Sequence, residues 1–172
     1  MNNFITCLIL AAVFSSCASM NIPNFNYHLI DSNSKSFEDD ELRITTAIFR
    51  DRINLKIENK TNKTLNLITD KSTFLTMNGK SLRIVPEGTV IAQRSSAQPP
   101  VVILSQSKIN QNFYASDHSL VGETIVMQGD LMPGFAFDKK DYSGKPFRLF
   151  LVFKDNSSSA SKEVDLKFLI QK

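Results

Sequence analysis

Tryptophan is missing from this chain, cysteine occurs twice and glycine six times in 172 residues. Two sulfurs cannot make a disulfide scaffold, nor a Cys-only zinc centre, which needs four ligands; only His28 and His118 could supplement them. Motifs that carry chemistry are missing as well: no Gly-rich phosphate loop, no HExxH, no paired-Cys spacing and no Gly-x-Ser-x-Gly nucleophile elbow. A strong charge bias is lacking too. Twenty Lys and Arg face seventeen Asp and Glu, for a net charge of +3. That excess is too small and too dispersed for a nucleic-acid binder. What is present is an ordinary apolar fraction of 42% with thirteen Phe, enough for one folded domain with or without a tail.

The longest apolar run near the start, Phe4 to Phe14, is too short to span a bilayer, which takes about 20 apolar residues. It suits the apolar core of a secretory signal, and the small residues Ser15, Ser16, Cys17, Ala18 and Ser19 follow it. Phe14-Ser15-Ser16-Cys17 resembles the lipobox of bacterial lipoproteins. The resemblance implies acylation of the Cys17 thiol by palmitate-like chains and cleavage just before it. Two features depart from the family pattern: Phe14 replaces an aliphatic residue, and the first cationic side chain is Lys35. An ordinary cleavage after Ala18 is the alternative. On the lipoprotein reading, residues 1–16 are a signal peptide that takes Cys7 with it. The mature chain is then held to a membrane by acyl chains without crossing it. Ala18 after the cysteine favours the outer membrane over the inner, by the same resemblance.

Residues 17–41 are rich in Asn and Ser and read as a flexible tether. Within it, Phe25, Tyr27, Leu29 and Ile30 could instead pair as a short first strand or pack on the rim of the domain. Asp39-Asp40-Glu41 reads as a solvated acidic run rather than a calcium site, because no Gly-turn loop with alternating oxygen ligands surrounds it.

From residue 42 to 172 period-two alternation dominates. Ile53, Leu55 and Ile57 share one face, and Val164, Leu166, Phe168 and Ile170 another. Leu65, Leu67 and Thr69 continue a strand after an Asn59–Lys63 turn. Asn78-Gly79 marks a hairpin with a type I′ turn. Phe147–Phe153 reads as a central strand. The only helical candidate is a short turn at Ala115–Leu120. The fold class expected is all-β, an antiparallel immunoglobulin-like sandwich of seven to nine strands with a Phe-rich core, or alternatively a small β-barrel.

Candidate chemistry is sparse. Asp117-His118-Ser119 are adjacent, and neighbours on an extended chain point in opposite directions, so they do not make a triad. Asp138, Asp141 and Gly144 belong to a polar turn, since Lys139 and Lys140 hold the positions a cation's ligands would need. Asn59-Lys60-Thr61, Asn62-Lys63-Thr64 and Asn156-Ser157-Ser158 match a glycosylation acceptor pattern that turn-forming Asn produces by chance. If there is a binding site, the irregular stretch 86–141 is where it is expected, because loops on a rigid scaffold carry binding.

Several segments, including Asp70-Lys71-Ser72-Thr73-Phe74, Asn78–Ile84, Gln98-Pro99-Pro100 and Gly144-Lys145-Pro146-Phe147, are similar to small bacterial lipoproteins of uncharacterised function. That resemblance implies a single β-sandwich and transfers no activity. The expected role is therefore non-catalytic: a lipid-anchored envelope protein with a binding or structural function. Its partners would be the membrane and another envelope protein, with no cofactor, metal or nucleic acid. Carriage of a small apolar ligand is the alternative, and a hydrolase using His28 or His118 ranks below both.

Overall fold

The computed structural model describes residues 26–49, 52–76, 79–89, 93, 95–116, 144–157 and 160–171. Alternation of apolar and polar side chains builds most of it. In chain order the strands are β1 (Tyr27–Leu29), β2 (Ser36–Glu38), β3 (Leu42–Ile48), β4 (Ile53–Asn59), β5 (Leu65–Leu67) and β6 (Thr73–Leu75). They continue with β7 (Ser81–Pro86), β8 (Val101–Ile103), β9 (Lys108–Ala115), β10 (Pro146–Asp155) and β11 (Ser161–Ile170). All pairings are antiparallel. One sheet runs β1-β11-β10-β6-β7-β9-β4-β3-β2, with β5 bridging β10 and β8.

The all-β expectation holds, and the sheet curls until it nearly closes, in keeping with the barrel alternative. β7 carries it round: Ser81–Arg83 pair with β6, whereas Ile84–Pro86 pair with β9. Among the described residues the strands number eleven rather than seven to nine. The difference lies in three-residue strands such as β1, β2 and β8, too short to show a period.

Inward positions fill the interior. Ile53, Leu55 and Ile57 are fully buried, as are Phe74, Phe113 and Phe168. Val164, Leu166 and Ile170 face the same core. β10 is central, paired with β11 on one side and with β5 and β6 on the other. Thr69 does not continue β5. It opens a 3-10 turn, Thr69–Lys71, that fills the gap between β5 and β6. Ile68 N–H donates to Val152 O at 2.8 Å, and Val152 N–H donates to Ser72 Oγ at 3.0 Å. The turn thereby covers Val152, which would otherwise face outward.

β6 and β7 pair as neighbours, with Thr76 N–H donating to Lys80 O and Gly79 N–H to Thr76 O, both at 2.9 Å, while Asn78 of the expected turn lies outside the described residues. Gly79 takes a φ of 77°, the left-handed position such turns reserve for glycine.

Residues 26–41 belong to the sheet rather than to the tether. β1 pairs with β11, and β2 with β3. These two strands end the sheet order, and a seam lies between them. Tyr27, 3% exposed, closes it. Its Oη donates to Thr46 O at 2.7 Å and accepts Ile48 N–H at 3.1 Å. Beside the seam, Thr46 N–H donates to Lys35 O at 3.0 Å and so continues the β2–β3 ladder. Burial pushes the Tyr27 hydroxyl pKa up, against the opposing pull of its bonds to Thr46 and Ile48. Tyr27→Phe strips the seam of these bonds and leaves a buried N–H and C=O unpaired. The expected cost is about 1–3 kcal/mol, read as a lowered urea midpoint at unchanged slope.

Candidate functional site

The described part of the irregular stretch places a short apolar strand between two polar clamps. Asp70, on the 3-10 turn, forms the first clamp. Its Oδ1 accepts Arg83 Nη1 at 3.0 Å and the Gln98 backbone N–H at 3.1 Å. Gln98 Nε2 in turn donates to Ser96 O at 3.0 Å, holding the loop that leads to Pro99 and Pro100. These prolines have no N–H and cannot extend a sheet edge.

The second clamp is Asn59, the last residue of β4 and only 1% exposed. Its Nδ2 donates to Lys63 O at 2.7 Å, Leu104 O at 3.0 Å and Ile103 O at 3.3 Å. Its Oδ1 accepts the Thr61 N–H at 3.0 Å and Thr61 Oγ1 at 2.8 Å. Ser107 Oγ adds a bond to Leu104 O at 2.7 Å. One side chain thus ties together β4, the turn that follows it and the end of β8. Such burial leaves Asn59 unable to accept a glycan, whatever its sequence context.

Between the clamps, among the described residues, β8 pairs with β5 alone. Ile103 is fully buried, whereas Val102 is 51% and Leu104 62% exposed. The two exposed side chains alternate along the strand and lie outward on one face, the pattern a partner strand or a shallow apolar cleft would read. Their backbone is held by β5 along one side and by the clamps at the two ends, so little ordering entropy remains to be lost on binding.

Charges gather at the same end of the barrel. Glu38 accepts Arg43 Nε at 2.7 Å and lies 2.7 Å from Lys60 Nζ. The hydrogen bond from Arg43, then that from Lys60, pull its carboxyl down to about 2. Asp39 is also held low. Burial pulls the other way, but the bond from Lys162 and the N–H groups of Leu42 and Glu41 prevail. The acidic run therefore caps the β2–β3 turn and binds Lys162 rather than lying loose. Because the folded pKa of Glu38 lies below its ordinary 4.5, its stabilisation is complete above that value and is lost as pH falls toward 2. Glu38→Gln should flatten the fall in melting temperature between pH 5 and 2, measured against the parent chain by calorimetry.

Cys7, Cys17, Asp117-His118-Ser119, Asp138 and Asp141 lie outside the described residues. Ala115, expected to open a helical turn, ends β9 instead and is buried. His28 sits in β1 with its Nδ1 buried and without a hydrogen-bond partner, so no carboxylate orients it there as a general base requires. Among the described residues no group of three or more His, Cys, Asp or Glu could hold a metal ion. Asn59 and Asp70 are functional candidates that reading the sequence did not single out, whereas Val102 and Leu104 fall inside the stretch 86–141 where a site was expected. The nearest signal was the Asn-rich turn and the Gln-Pro-Pro stretch beside them. Comparison with known proteins finds no matching family model, no matching curated protein and no matching solved structure.

Proposed function

We propose that this chain is a bacterial lipoprotein of the cell envelope, acylated at Cys17, whose β domain binds a protein partner without catalysis. The observation that carries the binding reading is the clamped β8 segment, with Val102 and Leu104 exposed on one outward face between Asp70 and Asn59. The lipid anchor rests on the lipobox-like Phe14-Ser15-Ser16-Cys17, with the outer membrane favoured by Ala18. Carriage of an apolar ligand in the interior is the less favoured reading, because Phe74, Phe113, Phe147, Phe153 and Phe168 occupy that space.

Two measurements test this. Mass spectrometry of membrane fractions should find the acylated chain, and Cys17→Ser should abolish both acylation and retention. For the site, a photo-crosslinker at Val102 should trap a discrete partner in cells, and one at Lys56, on the outward face of β4, should not. Leu104→Asp should weaken that crosslink by about tenfold or more, as loss of a central apolar anchor does, while leaving the melting temperature unchanged. Equal crosslinking with and without the Leu104 side chain would remove β8 from the binding surface.

A further inference from the structure

The bonding pattern of β5 decides which way the β8 backbone faces. Ile68 N–H donates to Val152 O at 2.8 Å and Asn156 N–H to Thr64 O at 3.3 Å, both in register with the β5–β10 ladder. Bonded and non-bonded pairs alternate along an antiparallel ladder, so Asn66 bonds Lys154, and Leu65 and Leu67 turn their N–H and C=O toward β8. Val101 and Ile103, opposite Leu67 and Leu65, face β5 in return. The N–H and C=O of Val102 therefore point to the other side. Because the peptides are trans and planar, the Pro100 C=O and the Leu104 N–H point there too.

Among the described residues β8 has no strand on that side. Pro100 C=O, Val102 N–H, Val102 C=O and Leu104 N–H are left over. Two groups that would complete the row are out of use. Pro100 has no N–H, and Leu104 O already accepts Asn59 Nδ2 and Ser107 Oγ. A foreign strand laid antiparallel on this edge would lose on both counts. Opposite Leu104 its N–H would meet a carbonyl already taken, and opposite Pro100 its C=O would meet no donor. A second copy turned about a twofold axis at Val102 avoids both losses. Val102 then exchanges two bonds with Val102 of the second copy. Leu104 lies opposite Pro100 of that copy, so the carbonyl that is taken meets the residue that lacks a donor. Every left-over group finds a partner. On the outward face the exposed Val102 meets its own copy, and the exposed Leu104 meets Pro100.

We infer that β8 is a dimer edge, on which two copies of this chain pair Pro100–Leu104 antiparallel about a twofold axis at Val102. This names the partner of the binding surface proposed above and rests on that reading. The paired segment spans roughly 17 Å at about 3.3 Å per residue, and it covers less than the ~1,000 Å² of a stable free interface. The dimer is accordingly weak in dilute solution and fills as the chain is concentrated. Its twofold uses up both edges, so association stops at two chains.

The full chain, purified from membranes, tests this. Residues of a bonded antiparallel pair have Cα atoms about 5.5 Å apart, within disulfide range. Under mild oxidation Val102→Cys should therefore give severalfold more disulfide-linked dimer than Lys56→Cys, each counted above the parent chain. No excess at position 102 overturns the pairing, and is the result expected if another segment of this chain covers β8. Sedimentation at rising concentration should take the parent chain from one mass to twice that mass. Val102→Pro removes an N–H that points away from β5, so it should raise the concentration of half-association by about tenfold or more at unchanged melting temperature. An unchanged midpoint overturns the pairing. The photo-crosslinked product from Val102 should have twice the chain mass. A product with a different protein overturns the second copy and leaves the binding surface standing, whereas no product at all removes both.

Discussion

Phe168→Ala is expected to be the most damaging single substitution in this fold, at about 3–5 kcal/mol. Phe168 is fully buried and stacks on Phe147 with ring centres 4.9 Å apart and planes 15° from parallel. Tyr27 meets it edge-on at 5.6 Å, and Phe74 packs on Phe147 at 5.7 Å. These four rings come from β11, β10, β1 and β6, four strands consecutive in the sheet order. With no disulfide among the described residues, they hold that side of the barrel by packing alone. Removing the Phe168 ring opens a cavity that the stacked Phe147 cannot fill without leaving its own contacts with Phe74 and Tyr27. It also loosens Tyr27, whose hydroxyl closes the seam. The melting temperature should fall by about 10 °C or more, and the urea midpoint should drop with little change in slope. Phe168→Leu keeps most of the apolar volume and should lose less than half as much. A loss equal to that of the alanine variant would mean that the aromatic geometry, rather than the filled volume, sets the energy.

Phe168 was legible because its strand is long. Val164, Leu166, Phe168 and Ile170 repeat every second residue, and the structure buries all four. The Ile53–Leu55–Ile57 face was legible for the same reason. Tyr27 was legible only as part of a possible short first strand, which β1 bears out, and not as a buried residue, because its burial depends on β3, nineteen residues away in sequence at Thr46. Val101–Leu104 is a uniformly apolar run inside the irregular stretch 86–141, with no alternation to show which side chains face inward. The structure covers one face only, because β8 stands beside β5 without a second strand among the described residues, and the alternation of Ile103 with Val102 and Leu104 follows. Asn59 is the clearest case of a role hidden from local sequence. Asn-Lys-Thr-Asn-Lys says turn, and a turn is there, but nothing within it signals that Asn59 points inward. That is decided by the carbonyls of Ile103 and Leu104, which reach it only once β8 has docked.

Asn59→Leu should therefore cost about 2–4 kcal/mol, although the new side chain is similar in volume and apolar. The parent side chain donates to three carbonyls and accepts from the N–H and hydroxyl of Thr61. Leucine leaves the buried Ile103 carbonyl without its donor and removes the bonds that tie Lys63, Leu104 and Thr61 to the end of β4. Asn59→Asp separates donor from acceptor. It retains the oxygen that Thr61 bonds but turns a second oxygen, charged or protonated, toward carbonyls that need a donor. At neutral pH it should be at least as destabilised as the leucine variant, and it should recover part of the loss below pH 5, where the protonated carboxyl can donate again. Thermal unfolding at pH 7 and pH 4 would measure both effects. Stability of Asn59→Asp equal to the parent chain at pH 7 would show that Nδ2 does not hold β8. Because the same bonds fix the Leu104 backbone, either variant should also weaken the crosslink from Val102 to its partner. Leu104→Asp should weaken it without touching stability. That contrast separates a residue that shapes the binding surface from one that forms it.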